Sequence, residues 1–181
     1  MKTLNKVIPT LGVFLLTFAL VGRATPATAA PATIYAGYQF LDISAAGTSE
    51  SIPLGVAAGI TVPLTSPWNV VGDFGWSRKS ENGATNTATS IAGGLRYVPM
   101  TMMGSITPYV QAVIGVEMDK SSAGSFSATD NNLMIQPGVG GTFALSSSLR
   151  GFAEADYRRV QASGATANDF VLRVGVVLFG K

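Results

Sequence analysis

Cysteine and histidine are both missing from this sequence, and charged residues make up only 12% of it. Without cysteine there is no disulfide scaffold, and without either residue the usual ligands for zinc and copper are gone, so neither a metal nor a cofactor is expected. No basic stripe and no interleaving of aromatic with basic residues occurs, which argues against a nucleic-acid partner. Beyond the N-terminal segment no stretch reaches 18 uninterrupted apolar residues, so a transmembrane helix is not expected there. If this chain meets a membrane, strands must cross it.

What is present begins with Lys2 and Lys6 ahead of an apolar run from Val7 to Gly22, closed by Ala27-Thr28-Ala29. That pattern reads as a cleaved secretory signal peptide spanning residues 1–29. A cut one residue later would place Pro31 beside the scissile bond, so Ala30 is taken as the first residue of a single domain, 30–181. Three of the 12 basic residues (Lys2, Lys6 and Arg23) fall in the leader and all 10 acidic ones follow it, which leaves the mature segment at 9 − 10 = −1. The low charge content of an exported domain needs an explanation, and the periodicity supplies one.

Eight runs of roughly ten residues alternate apolar with polar or small positions, the period of half-buried strands. The first, Thr33 to Asp42, sets Ile34, Tyr38 and Phe40 against Tyr35, Gly37 and Gln39; the second, Ile52 to Val62, sets Leu54, Val56 and Ile60 against Gly55, Gly59 and Thr61. Val70 to Ser77 opposes Phe74 and Trp76 to Asp73 and Gly75, and Thr89 to Val98 opposes Ile91, Leu95 and Tyr97 to Ser90, Gly94 and Arg96. Pro108 to Met118 carries Tyr109, Gln111 and Glu117 opposite Val110, Ile114 and Val116, and the run around Leu133 to Phe143 carries Gln136, Gly138 and Gly140 opposite Ile135 and Val139. The last two place Arg150, Glu154, Asp156 and Arg158, then Asp169 and Arg173, on one face, with Tyr157, Phe170, Leu172 and Val174 on the other.

Between the runs, long polar connections (Ser44 to Ser51, Arg78 to Ala88, Asp119 to Asn131, Gln161 to Asn168) alternate with mostly shorter ones, the layout of an up-and-down outer-membrane barrel. Alternation alone does not say which face is inside. Glycine crowds the polar face, as a narrow eight-stranded lumen requires, and aromatics on the other face gather towards strand ends like interfacial girdles. The strand charges on the polar face balance: Arg96, Arg150, Arg158 and Arg173 against Asp73, Glu117, Glu154 and Asp156. These eight are the candidate lumenal network, structural in role, with neither a catalytic nor a cofactor-binding site expected. A last hairpin symmetrical about its loop would set Arg173 across from Asp156 and Glu154 across from Gly175. Pro137, lacking an N–H inside the sixth run, calls for a local bulge at Pro137-Gly138. On this orientation Leu172→Arg is expected to damage insertion more than Arg173→Ala.

The segments "GLRYVP", "TPYVQAVIGVE" and "SLRGFAEADYRRV" resemble strands of the small outer-membrane β-barrel family that includes outer membrane proteins A and X and the opacity proteins. The resemblance spans Ala30 to Lys181 and implies an all-β fold: an eight-stranded antiparallel up-and-down transmembrane barrel in the cell outer membrane. It implies outer-membrane lipids and the barrel-assembly machinery as partners, a monomer, and a non-enzymatic role in envelope integrity or surface contact. Members usually end on an aromatic residue, whereas here Phe179 is followed by Gly180 and Lys181, and by the alternation Phe179 faces the lumen. The alternatives are a small pore, a lipid-modifying barrel enzyme, which would lack the histidine general base such enzymes use, and a soluble lipocalin-like carrier with an apolar cavity.

Overall fold

The structure, a computed structural model, describes residues 31–45, 48–99, 103, 105–146, 149–162 and 165–179. The expected signal peptide lies outside them. Nine strands follow one another: β1 (Thr33–Ala45), β2 (Thr48–Ile52), β3 (Leu54–Thr65), β4 (Trp68–Glu81), β5 (Ala84–Tyr97), β6 (Ile106–Ala123), β7 (Phe126–Ala144), β8 (Arg150–Ala162) and β9 (Ala165–Phe179). From β3 to β9 each strand pairs antiparallel with the next, β1 pairs antiparallel with both β2 and β3, and β1 returns to pair with β9 from Thr33↔Phe179 to Ser44↔Asn168, which closes the sheet.

β2 and β3 both pair with β1 and act as one stave divided at Pro53, so the ring has eight. The register confirms the division. Tyr38 stands opposite Val56 and Leu41 opposite Ile52, which leaves two residues of β1 facing three across the break. A proline without an N–H sits where that extra residue interrupts the ladder.

The expected bulge at Pro137-Gly138 does not form. β6 faces β7 in unbroken register through Ala112↔Pro137 and Gln111↔Gly138, and the β7–β8 register is the same on both sides of a gap at Gln136 and Pro137. The missing donor is absorbed by leaving two positions of the β7–β8 ladder unpaired. The glutamine side chain there takes up the slack, since Gln136 accepts a hydrogen bond from Arg158 Nε at 2.7 Å.

The segments expected as long loops are drawn into the sheet. β4 and β5 pair out to Glu81↔Ala84, and Asn82 and Gly83 turn the chain with φ of 51° and 78°. Asn-Gly with both residues left-handed is the pair that a two-residue hairpin turn requires. β6 and β7 pair out to Ala123↔Phe126, with Gly124 at φ 57°. These two strands run to 18 and 19 residues, well beyond the roughly 9–11 that cross a hydrocarbon layer. Polar Ser, Thr and Asn residues were read as loop because they lack alternation, yet cross-strand hydrogen bonding continues without it.

The alternation sorts the side chains as the sequence implied. Ile34, Val56, Ile60, Phe74, Ile91, Leu95, Val110, Ile114, Val139, Leu172 and Val174 are exposed on the outer surface. Gln39, Asp73, Gln111, Glu117, Gln136, Glu154, Asp156, Arg158 and Arg173 are buried in the lumen. Apolar residues share that interior, with Val71, Ala92, Val113, Met134 and Val160 forming one cluster and Leu41, Ile52, Ala88 and Val171 another.

Small residues make room for this filling. A Cβ added at Gly138 would land on the Asp156 carboxylate, and one at Gly140 would meet the Tyr109 ring at 2.5 Å. On the outer face, by contrast, a Cβ at Gly72 meets only the Ile60 Cγ2 atom, at 3.3 Å. Gly138→Val should therefore lower barrel stability by about 1–3 kcal/mol through overpacking, while Gly72→Val leaves it nearly unchanged. Urea unfolding of the two variants checks this, and equal midpoints would contradict it.

Candidate functional site

Arg173, near the middle of β9, is the hub of the interior. Its Nη1 lies 2.8 Å from Asp73 Oδ2, 3.2 Å from Glu154 Oε1 and 3.7 Å from Asp156 Oδ2. Its Nη2 donates to Asp73 Oδ1 at 3.0 Å and its Nε to Gln39 Oε1 at 2.9 Å. The paired register is Glu154↔Arg173, with Asp156 opposite Val171 and Gly175 opposite Phe152. The hairpin thus stands two residues away from the symmetrical arrangement expected, because β8 and β9 continue to Ala162↔Ala165. Asp156 still reaches the guanidinium diagonally.

Asp73 also accepts a 2.5 Å hydrogen bond from Tyr35 Oη. Glu154 is shared: Arg96 Nη2 lies 3.2 Å from its Oε2, and Tyr109 Oη donates to the same oxygen at 2.8 Å. Arg96 stacks its guanidinium 3.9 Å above the Tyr109 ring and donates from Nε and Nη2 to Gln111 Oε1. Asp156 accepts from Gln136 Nε2 at 3.0 Å. A second group lies closer to the hairpin turns, where Arg158 pairs with Glu117 through Nη1, reaches Gln136 through Nε and contacts Ser90 through Nη2 at 3.4 Å.

Seven of the eight sequence-nominated residues therefore fall into two adjoining groups: Asp73, Arg96, Glu154, Asp156 and Arg173 in one, Glu117 and Arg158 in the other. Arg150 stands apart. Its Nη2 donates to Thr107 Oγ1 at 2.9 Å and Thr142 Oγ1 at 2.7 Å, near the end of the barrel opposite the long hairpins. Tyr35, Tyr109, Gln39, Gln111 and Gln136 belong to the same interior and had no place in a reading based on charge alone. Their signal was parity, since all five lie on the polar face. Asp169 was on that face too, and it is buried.

Such an arrangement holds ionic groups out of water in mutually satisfied contacts, where loss of one partner is costly and the intact set is not. Among the described residues no three acidic side chains gather closely enough to hold a metal ion. The polarity is the reverse of a carrier with an apolar cavity: fatty side chains surround the sheet, and charges fill it.

Solved structures share the architecture. Neisserial surface protein A superposes with a TM-score of 0.72 at 12% identity, over 84% of this chain and 99% of that one. It has the fold of the small outer-membrane β-barrels. The attachment invasion locus protein of Yersinia pestis matches the same fold with a TM-score of 0.58 at 16% identity, over 82% of this chain and 99% of that one. The N-terminal β-barrel domain of Pseudomonas aeruginosa OprF matches with a TM-score of 0.51 at 14% identity, over 83% of this chain and 99% of that domain. No protein-family model matches the sequence. A comparison with curated proteins finds no match either. The small-barrel fold is thus shared with these structures at low sequence identity.

Proposed function

We propose that this protein is an integral outer-membrane barrel with a plugged lumen, which anchors four hairpins at the cell surface and serves envelope integrity or surface contact without catalysing a reaction. One observation carries the reading: the belt of Ile, Leu, Val and Phe lies on the outside of the ring, while Arg158 and Arg173 are each 1% exposed within it. An apolar exterior of this extent is stable only against lipid or another apolar surface. The interior side chains of an eight-stranded ring are enough to fill it, which supports a barrel that does not conduct. A closed ring has no free edge for a second chain, which supports a monomer.

The Trp68–Tyr97 pair, with ring centroids 5.0 Å apart, fits an interfacial anchor at the end away from the long hairpins. The Yersinia pestis neighbour is named for attachment, which favours the contact role over a purely mechanical one. Assembly by the barrel-insertion machinery follows from outer-membrane residence. The Phe179 side chain, which bears on that step, lies outside the described residues.

The test combines fractionation with conductance. The protein should be recovered with outer membranes, migrate as a heat-modifiable band on unboiled gels, and give no current steps, or only rare small ones, in planar bilayers. Recovery in the aqueous periplasmic extract would overturn the membrane placement, and regular large steps would overturn the plug.

A further inference from the structure

The hairpin end of the barrel opens into a cavity of about 200 Å3 above the Arg158–Glu117 pair. Its walls combine apolar side chains, chiefly Ile43, Ile52, Val160 and Ala167, with the acidic residues Glu117, Asp119 and Asp169 and, among the charged residues, also Glu50 and Lys120. Asp169 is 1% exposed, and neither of its carboxylate oxygens accepts a hydrogen bond among the described residues. Its cross-strand neighbour Arg158 is already engaged with Glu117, Gln136 and Ser90. Glu50, at the same rim, is paired with Lys79 at 3.3 Å. Among the described residues Asp119 accepts only from Asn132 Nδ2, at 3.1 Å through Oδ2.

A buried carboxylate with no donor is costly unless something supplies one. We propose that this mouth binds a primary alkylammonium group, its nitrogen held by Asp169 with Asp119 and its short carbon chain seated on Ile52, Val160 and Ala167. An ammonium carries three donors on a compact charge, which suits two carboxylates beside an apolar wall. A metal ion does not, because a hard cation wants six or more oxygens and among the described residues no three acidic side chains gather closely enough to hold one. The site depends on closure of the barrel and not on where the barrel resides, so it stands or falls separately from the outer-membrane reading.

The test is calorimetric titration of the refolded protein in detergent micelles with butylamine, and with butyrate, butanol and calcium chloride as comparison ligands. Butylamine should bind measurably and the other three at least tenfold more weakly. Asp169→Asn, which removes a buried charge and should fold at least as well, is expected to weaken amine binding at least tenfold. Ala167→Leu, which narrows the cavity and keeps both carboxylates, should weaken it as well, while Glu81→Gln, exposed and outside the lining, should not. No amine binding, equal binding of butanol or calcium, or full binding by folded Asp169→Asn would each overturn the proposal.

Discussion

Replacing Arg173 with alanine should destabilise the barrel by about 3–5 kcal/mol, the range for breaking a buried ion pair by removing one partner. The guanidinium stands between Asp73, Glu154 and Asp156, and both it and its partners have side chains without solvent exposure. Among the described residues, without it Glu154 keeps Arg96 and Tyr109, Asp73 keeps only the Tyr35 hydroxyl, and Asp156 keeps Gln136 and Gln111. Urea unfolding in micelles measures the loss. The cause is checked by adding Asp73→Asn, which removes the carboxylate left most exposed to the deletion. The double variant should be more stable than the sum of the two single losses by roughly 1–3 kcal/mol of coupling. Strict additivity would show that Arg173 does not act through Asp73.

Leu172→Arg should impair insertion into lipid vesicles by about 2–4 kcal/mol, the cost of an arginine on the lipid face of a barrel near mid-bilayer. Leu172 is 41% exposed on the outer belt, between Phe40 of β1 and Ala155 of β8. The defect should be smaller in loose detergent micelles, where the new charge finds water. Insertion equal to the parent would mean that this face does not meet hydrocarbon. From alternation alone this substitution ranks as the more damaging of the two. The structure raises the expected cost of the other substitution, because Arg173 neutralises three carboxylates and not one across-strand neighbour.

That difference in partners shows where the sequence was legible and where it was not. Parity along a strand is local, so the shared face of Asp73, Arg96, Glu117 and Arg158 could be read directly from alternation. Partners across the barrel depend on stagger, which depends on how far each hairpin continues before it turns. The β8–β9 ladder reaches Ala162↔Ala165, two pairs beyond what a loop from Gln161 to Asn168 would allow, and every diagonal contact moves with it. Polar strand extensions such as Ser121↔Ala128 carry no hydrophobic signal and so read as loop. Asp169 was legible by parity on the lumenal face of the last strand, although the balanced set of charges did not include it. The proline at 137 illustrates a different limit: its lost donor is local, but whether the chain answers with an extra residue or with a gap is decided by both neighbouring strands.

The seam between β1 and β9 joins residues from opposite ends of the ring, Thr33 beside Phe179. Every other stave can dock onto a neighbour made just before it, but β1 must wait for the final stretch of the chain. A nascent or truncated copy therefore presents two raw sheet margins and a greasy flank at once, the combination most prone to aggregation. Completion of the cylinder is by its connectivity an all-or-none proofreading of length, in which a copy ending before Ala165 has nothing to clasp.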